Sequence, residues 1–123
     1  MAFMDAKPGH TVAETAPYLD DCKAERVSEA QRAEIVDVLA KDPEAGDVIR
    51  ESGGARKVRF SARGRGKSGG FRVITAYVGD HAPVYLVALY SKAEKANLSA
   101  DDLKTIKSLI ATLKKYWRKD LKP

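Results

Sequence analysis

The hydrophobic pattern predicts an α+β fold, with an N-terminal helical hairpin and a C-terminal helix packed on a small antiparallel sheet. Three observations carry this. Apolar residues recur at helical spacing early in the chain, alternate with period two in the middle, and return to helical spacing at the end. Helix start signals precede the outer segments. Glycine-rich turns punctuate the middle. A length of 123 residues with 44% apolar residues suits one domain, expected over residues 10–119 behind a frayed N-terminus at 1–9.

His10 to Glu14 is a weak strand candidate. Thr15 then offers an N-cap, Pro17 is tolerated in the first turn, and Tyr18, Leu19 and Cys22 form the apolar stripe of a short helix. Ser28-Glu29-Ala30-Gln31 reads as a capping box, in which serine and glutamine satisfy orphan backbone donors reciprocally. Ala33, Ile35, Val36 and Leu39 follow at helical spacing until Asp42-Pro43 stops the run. The two helices form a hairpin. Val58 and Phe60 then alternate with Lys57, Arg59 and Ser61, and Phe71, Val73, Thr75 and Tyr77 alternate with Arg72, Ile74, Ala76 and Val78. Val84 to Leu89 is a β-branched, apolar run. These segments predict a three-stranded antiparallel meander with a long first loop, its last two strands apolar on both faces and therefore central. In the final helix Ser99 is the cap, Asp101 and Asp102 sit at the positive end, and Leu98 can pack onto Leu103. Leu103, Ile106, Ile110, Leu113 and Trp117 line one face, and Lys114, Lys115, Arg118 and Lys119 favour the dipole at the far end.

Net charge is +5, yet residues 1–51 carry −6 and residues 52–123 carry +11. Such polarity points to a positive working face for an anionic partner, nucleic acid first. A solvated basic surface with no ligand is the bland alternative. The single cysteine, Cys22, rules out an intramolecular disulfide and suits a reducing cytoplasm. No apolar run approaches the roughly 18 residues of a membrane span, so no membrane partner is expected. Met1 to His10 lacks the basic start and apolar core of a secretion signal.

Seven cations and no acid fall between Arg56 and Arg72: Arg56, Lys57, Arg59, Arg63, Arg65, Lys67 and Arg72. Glycines beside cations let backbone N–H groups and side chains approach phosphate oxygens together. Period-two geometry puts Lys57 and Arg59 on one face of their strand, which suits an RNA backbone. The alternative is a solvated, mobile hairpin. Gly66-Lys67-Ser68 imitates the end of a phosphate-binding P-loop, but Ser61 stands at the first glycine position and a strand follows where a helix is required. NTPase activity is therefore not expected. His10, His81 and Cys22 are too scattered for a metal site, and the basic region lacks carboxylates for magnesium, so neither metal nor cofactor is expected. A pair of histidines as acid and base is conceivable, though His81 falls in a turn and His10 near the chain end. RNA can be cut by its own 2′-OH attacking the neighbouring phosphate, if a protein orients the attack, stabilises charge on the phosphorane and assists proton transfer. Arginines suit the charge because they fork onto phosphate and stay protonated. Lysine crowded by cations can serve as a base, and Tyr90 could supply a proton or stack on a base.

The strings Gly54-Ala-Arg56-Lys57-Val-Arg59-Phe, Gly64-Arg-Gly66-Lys67-Ser68-Gly69-Gly70 and Arg72-Val-Ile together resemble HigB-type toxins of the RelE superfamily. Tyr90-Ser-Lys92-Ala-Glu94-Lys95-Ala-Asn-Leu98-Ser99 continues the likeness into the last helix, and Asp42-Pro43-Glu-Ala45-Gly46-Asp47 matches the stretch between helices and sheet. Coverage runs from about His10 to Leu113. The resemblance implies a RelE-like fold with helices packed on one face of an antiparallel sheet, cutting of mRNA in the ribosomal decoding site, and silencing by a tight antitoxin. It assigns catalysis or substrate holding to Lys57, Arg59 and Arg72, and carries the family's tyrosine and basic positions after the last strand onto Tyr90, Lys92 and Lys95. We expect Lys57, Arg59, Arg72, Tyr90 and Lys92 to serve the chemistry, and Arg56, Arg63, Arg65, Lys67 and Lys95 to bind RNA. HigB-like relatives commonly pair with helix-turn-helix antitoxins of the HigA kind, so operator DNA is expected only through the antitoxin. Such a partner would dock on the acidic hairpin around Asp20, Asp21 and Glu29 and block entry to the ribosome, or lay an acidic segment across Arg56–Arg72. Two rival functions share the sequence features. One is a ParE-like inhibitor of DNA gyrase, against which the Lys57/Arg59/Arg72 set argues, and the other is a non-catalytic RNA-binding module.

Overall fold

The computed structural model describes residues 9–61, 70–92 and 97–119. In chain order the elements are β1 (Val12–Glu14), α1 (Ala16–Ala24), α2 (Glu29–Lys41), β2 (Asp47–Val48), β3 (Arg56–Ser61), β4 (Gly70–Ala76), β5 (Val84–Ser91) and α3 (Ala100–Lys119). The α+β class holds, and the hairpin and the last helix fall where the pattern puts them. The frayed segment expected at 1–9 lies almost wholly outside the described residues.

The helix starts follow their caps. Thr15 Oγ1 accepts from the Tyr18 N–H at 3.3 Å and Ser28 Oγ from the Gln31 N–H at 3.1 Å, each satisfying a donor the first turn cannot. Only the serine half of the α2 capping box is seen; Gln31 is buried and its Nε2 donates to Ser61 O at 3.3 Å, tying α2 to the end of β3. At α3 the box is complete and uses an acid: Ser99 Oγ accepts from Asp102 N–H, and Asp102 Oδ2 accepts from Ser99 N–H, both at 3.0 Å. The α1–α2 turn is closed by Arg26 in a left-handed conformation (φ 58°), with Val27 N–H donating to Cys22 O at 2.9 Å.

The sheet is larger than the predicted meander. Five strands run in the order β1-β5-β4-β3-β2, with β1 parallel to β5 and every other pair antiparallel. One edge, β1, is the weak candidate at His10 to Glu14, formed over Val12–Glu14. The other, β2, was not expected and is only two residues long, too short for an alternation to register. Tyr77 and Val78, expected in the second strand, lie beyond its end at Ala76.

A second correction concerns the layers. Helices cover both faces, not one. Tyr18, Cys22, Ile35 and Leu39 of the hairpin pack with Val58, Phe71, Val73, Val84, Leu86 and Leu89. Ile106 and Ile110 of α3 pack on the other side with Ala55, Ile74, Ala76 and Tyr90. The cause is in β4, where Phe71 and Val73 point one way and Ile74 and Ala76 the other, so each face has apolar surface to bury. Each fully buried Ile or Leu side chain contributes about 1.5–3 kcal/mol.

Two glycines are fixed by close approach of backbone. A Cβ at Gly46, where φ is +90°, would stand 2.4 Å from Lys57 O, and one at Gly70 would stand 1.9 Å from Phe60 O. The first lets β2 close on β3; the second lets β4 begin against the end of β3.

Candidate nucleic-acid interface

Register builds the site. Arg59 on β3 pairs with Arg72 on β4, and Arg72 pairs with Tyr90 on β5. Directly opposed residues of antiparallel strands point to the same face at Cα spacings of about 4.5–5.5 Å, so these three side chains form one row across three strands. Lys57, two residues before Arg59, shares that face. Along the row exposure falls from Arg59, which is exposed, through the half-buried Arg72 to Tyr90, only 7% exposed. The α3 helix covers the same face over Ile74, Ala76 and Tyr90, and leaves Arg59 exposed and Arg72 half-buried.

The place of Tyr90 depends on a bulge. Ile74 pairs with Ala88 but Thr75 with Leu86, so Val87 is an extra residue in β5. Strict alternation from Val84 and Leu86 would send Tyr90 to the hairpin side. One inserted residue reverses the parity, so that Leu89 joins the hairpin cluster and Tyr90 the α3 cluster. Beyond Leu86 the β5 edge no longer has β1 beside it, and α1 takes over its hydrogen bonds. Thr15 Oγ1 donates to Leu86 O at 2.7 Å, and the Asp21 carboxylate accepts from the Leu89 N–H at 3.0 Å.

The electrostatics of the row differ from those elsewhere. Lys57, Arg59 and Arg72 hold no ion pair and no side-chain hydrogen bond among the described residues. Arg32, by contrast, grips Glu14 with Nε and Nη2 at 3.1 and 3.2 Å. Arg56 is also engaged, donating to Gly46 O at 3.1 Å and lying 3.9 Å from Glu44. Its position in β3 turns it to the opposite face from Lys57 and Arg59, so the structure does not bring this expected RNA-binding residue to the row.

Lys92 is exposed just past β5, and its N–H continues the ladder to Gly70 O at 3.1 Å. Arg63, Arg65, Lys67 and Lys95 lie outside the described residues. The chain leaves β3 at Ser61 and re-enters at Gly70, two rungs beyond the Arg59–Arg72 pair.

Beside the row is a cleft of about 370 Å³ between β2 and the start of α3, lined among others by Lys57, Arg59, Tyr90, Asp47, Arg50 and Asn97. The last three were not among the expected site residues. Asp47 and Asn97 carried a signal, as members of the Asp42–Asp47 and Tyr90–Ser99 strings; Arg50 carried none, because only the fold brings its turn to the same side of β3 as the helix entrance. The turn is built on buried Ser52, whose Oγ donates to Ile49 O at 2.6 Å and accepts from the Gly54 and Ala55 N–H groups.

Other reactive groups are occupied elsewhere. His10 lies within 2.7 Å of Ala82 O through Nε2 and edges onto Tyr77. His81 edges onto Trp117, whose Nε1 donates to Tyr85 Oη. Both sit at the far end of the β4–β5 hairpin from the row. Cys22 is 2% exposed and burial pushes its thiol pKa up, while burial and the neighbouring Cys22 hold the Tyr18 phenol protonated. Among the described residues no group of three or more His, Cys, Asp or Glu could hold a metal ion, and no helix is long and apolar enough to cross a membrane. Asp21, expected as an exposed docking position, is instead spent on the β5 edge; Asp20 and Glu29 are exposed.

Fold and site together define a class: a small α+β protein whose central strands carry a row of cations on a sheet face, unpaired among the described residues. Within that class, the family described as RelE toxin of the RelE / RelB toxin-antitoxin system matches residues 21–123, and the chain belongs to it. It is thus similar to the toxins of toxin–antitoxin pairs, and the family implies an antitoxin partner. Among solved structures, a mutant of the E. coli toxin RelE in the free state superposes with a TM-score of 0.50 at 11% identity, covering 82% of this chain and 96% of that one. At that identity the likeness speaks for the fold alone.

Proposed function

We propose that this toxin is an endoribonuclease that works without metal, and that its substrate is mRNA in the ribosomal decoding site. The observation that carries the reading is the row Arg59–Arg72–Tyr90 with Lys57 beside it, whose cations have no anionic partner among the described residues. Arginines left unpaired on a sheet face are ready to fork onto phosphate. Two of them, one strand apart, can hold the scissile phosphate and take the charge that develops as the 2′-OH attacks. Lys57 and Tyr90 flank that point as proton-transfer groups, and Lys92 extends the row. Arg63, Arg65, Lys67 and Lys95 are assigned to binding the RNA on either side.

The partner is read as a helix-turn-helix antitoxin of the HigA kind, with operator DNA reached only through it. Docking is proposed on the exposed part of the helical hairpin, around Asp20 and Glu29, with the toxin acting in the cytoplasm. The test is translation in an extract with intact ribosomes, with mapping of mRNA ends. Cleavage that survives EDTA once ribosome integrity is controlled, leaving 2′,3′-cyclic or 3′-phosphate ends, is the expected result. Ends bearing a free 3′-OH overturn the mechanism. Arrest without new ends leaves a non-catalytic RNA binder, and inhibition of gyrase supercoiling with translation intact leaves a ParE-like activity.

A further inference from the structure

The cleft beside the row contains what a phosphate path does not need. Asp47 is the cross-strand partner of Lys57 and so faces the same side of the sheet. Its carboxylate makes no ion pair or hydrogen bond among the described residues, although Lys57 and Arg50 share the cleft with it. A free carboxylate next to an RNA backbone lowers affinity for phosphate. It contributes only to a group that donates hydrogen bonds. Across the cleft stand Leu98 and Leu103 at the entrance to α3, with Asn97 at the rim. Apolar walls with a few convergent polar groups describe a small-molecule pocket, and about 370 Å³ falls at the lower end of the roughly 300–1,000 Å³ of such sites.

We propose that this cleft is a nucleobase subsite that selects guanine, with the Asp47 carboxylate as the reading group. The inference rests on the RNA-cleaving reading of the adjacent row. Splayed bases of single-stranded RNA are read by hydrogen bonds to their edges while their faces lie on flat or apolar surface. A carboxylate offers two acceptors side by side, and guanine alone presents two adjacent donors, N1–H and the 2-amino group. Adenine, cytosine and uracil each place at least one acceptor next to their donor, which a carboxylate repels. The cations fit the same choice. Guanine O6 and N7 are the acceptors that Arg or Lys recognises best, and Arg50 and Lys57 both line the cleft. Phosphate held on Arg59 and Arg72 would leave the attached base within reach of the pocket, since Arg59 lines both.

The experiment titrates the four nucleoside 3′-monophosphates into isotope-labelled toxin and follows amide shifts, for the wild type, Asp47→Asn and Arg59→Ala. Guanosine 3′-monophosphate should bind about tenfold or more tightly than the other three in the wild type, the scale of one good bidentate base contact. Its shifts should centre on Asp47, Lys57, Asn97 and Leu98. Asp47→Asn, with an unchanged melting temperature, should bring guanosine down to the level of adenosine, whereas Arg59→Ala should weaken all four alike through the phosphate. Equal affinity for the four nucleotides, no binding at all, or a guanine preference that survives Asp47→Asn overturns the subsite. Those results leave the nuclease reading to the ribosome assay. Conversely, guanine selectivity at Asp47 in a protein that leaves mRNA uncut upholds the pocket and removes the nuclease.

Discussion

Arg32 and Arg59 are the same residue type on two faces of one small sheet, and the fold treats them oppositely. On the hairpin side Arg32 makes two hydrogen bonds to Glu14 and fastens α2 to β1. On the α3 side Arg59 and Arg72 stand opposite each other, and neither forms an ion pair among the described residues. Like charges directly opposed across a sheet are destabilising, so the second arrangement lowers stability and the first raises it. The difference teaches where the acids went. The acidic first half supplies partners that hold elements together on the hairpin side, whereas on the other face its Asp47 lines the cleft beside Lys57 without pairing to it among the described residues.

That contrast can be broken most directly by exchanging the losses. Arg59→Ala, Arg72→Ala or Lys57→Ala should lower RNA cleavage about 100-fold or more, as removal of a group that stabilises transition-state charge does, and leave the melting temperature unchanged or slightly raised. Arg32→Ala should do the reverse, leaving cleavage intact and costing at most about 1 kcal/mol, because the pair is partly exposed and screened. Wild-type cleavage by all three row variants would move the site elsewhere. Loss of cleavage in Arg32→Ala with an intact fold would dissolve the distinction between the faces.

Gly46→Ala is the largest expected stability effect, about 2–3 kcal/mol or more, since it adds a left-handed backbone penalty to a Cβ placed 2.4 Å from Lys57 O. Chemical denaturation measures it directly, and a loss under 1 kcal/mol would mean that β2 shifts freely on β3. Asp21→Ala tests how the hairpin side serves the other face. Leaving the Leu89 N–H without its carboxylate should cost about 1–3 kcal/mol. Cleavage should fall further than the folded fraction does, because the bulge that aims Tyr90 is loosened. Cleavage tracking the folded fraction alone would show that the bulge holds itself. The smallest effect concerns the far end of the β4–β5 hairpin. Hydrogen bonding to Asp80 pushes the Tyr77 pKa up from 10.0 to about 12. A raised folded pKa means a contribution fully present below pH 10 and lost as pH rises through about 12. Melting curves over that window should therefore fall less steeply for Tyr77→Phe than for the wild type.

Much of this was legible in the chain. The caps Thr15, Ser28 and Ser99 and the α3 stripe follow from local spacing, which a helix expresses wherever it sits. Lys57 and Arg59 share a face for the same reason. What local spacing could not give was every feature set by a neighbour. The β2 edge strand exists because β3 had an open hydrogen-bonding edge for two residues to fill. That Arg56 faces away from Lys57 follows from alternation, but its engagement by Gly46 and Glu44 there is set by the neighbouring segment. The cleft residues Asp47, Arg50 and Asn97 meet only after β2 closes on β3 and α3 crosses the sheet.

Tyr90 shows the division in a single residue. Its sequence neighbours placed it at the end of a strand and next to cations, and that stands. Which face it points to was undetermined, because the parity of a strand is a running count that one extra residue reverses. Whether Val87 is inserted depends on how β5 registers against β4 and on α1 taking up the edge through Thr15 and Asp21. The sequence alone determined most of the elements and the charges they carry; only the tertiary structure decided which residues of different strands share a face, since that depends on register between strands and, for Tyr90, on hydrogen bonds between segments about seventy residues apart.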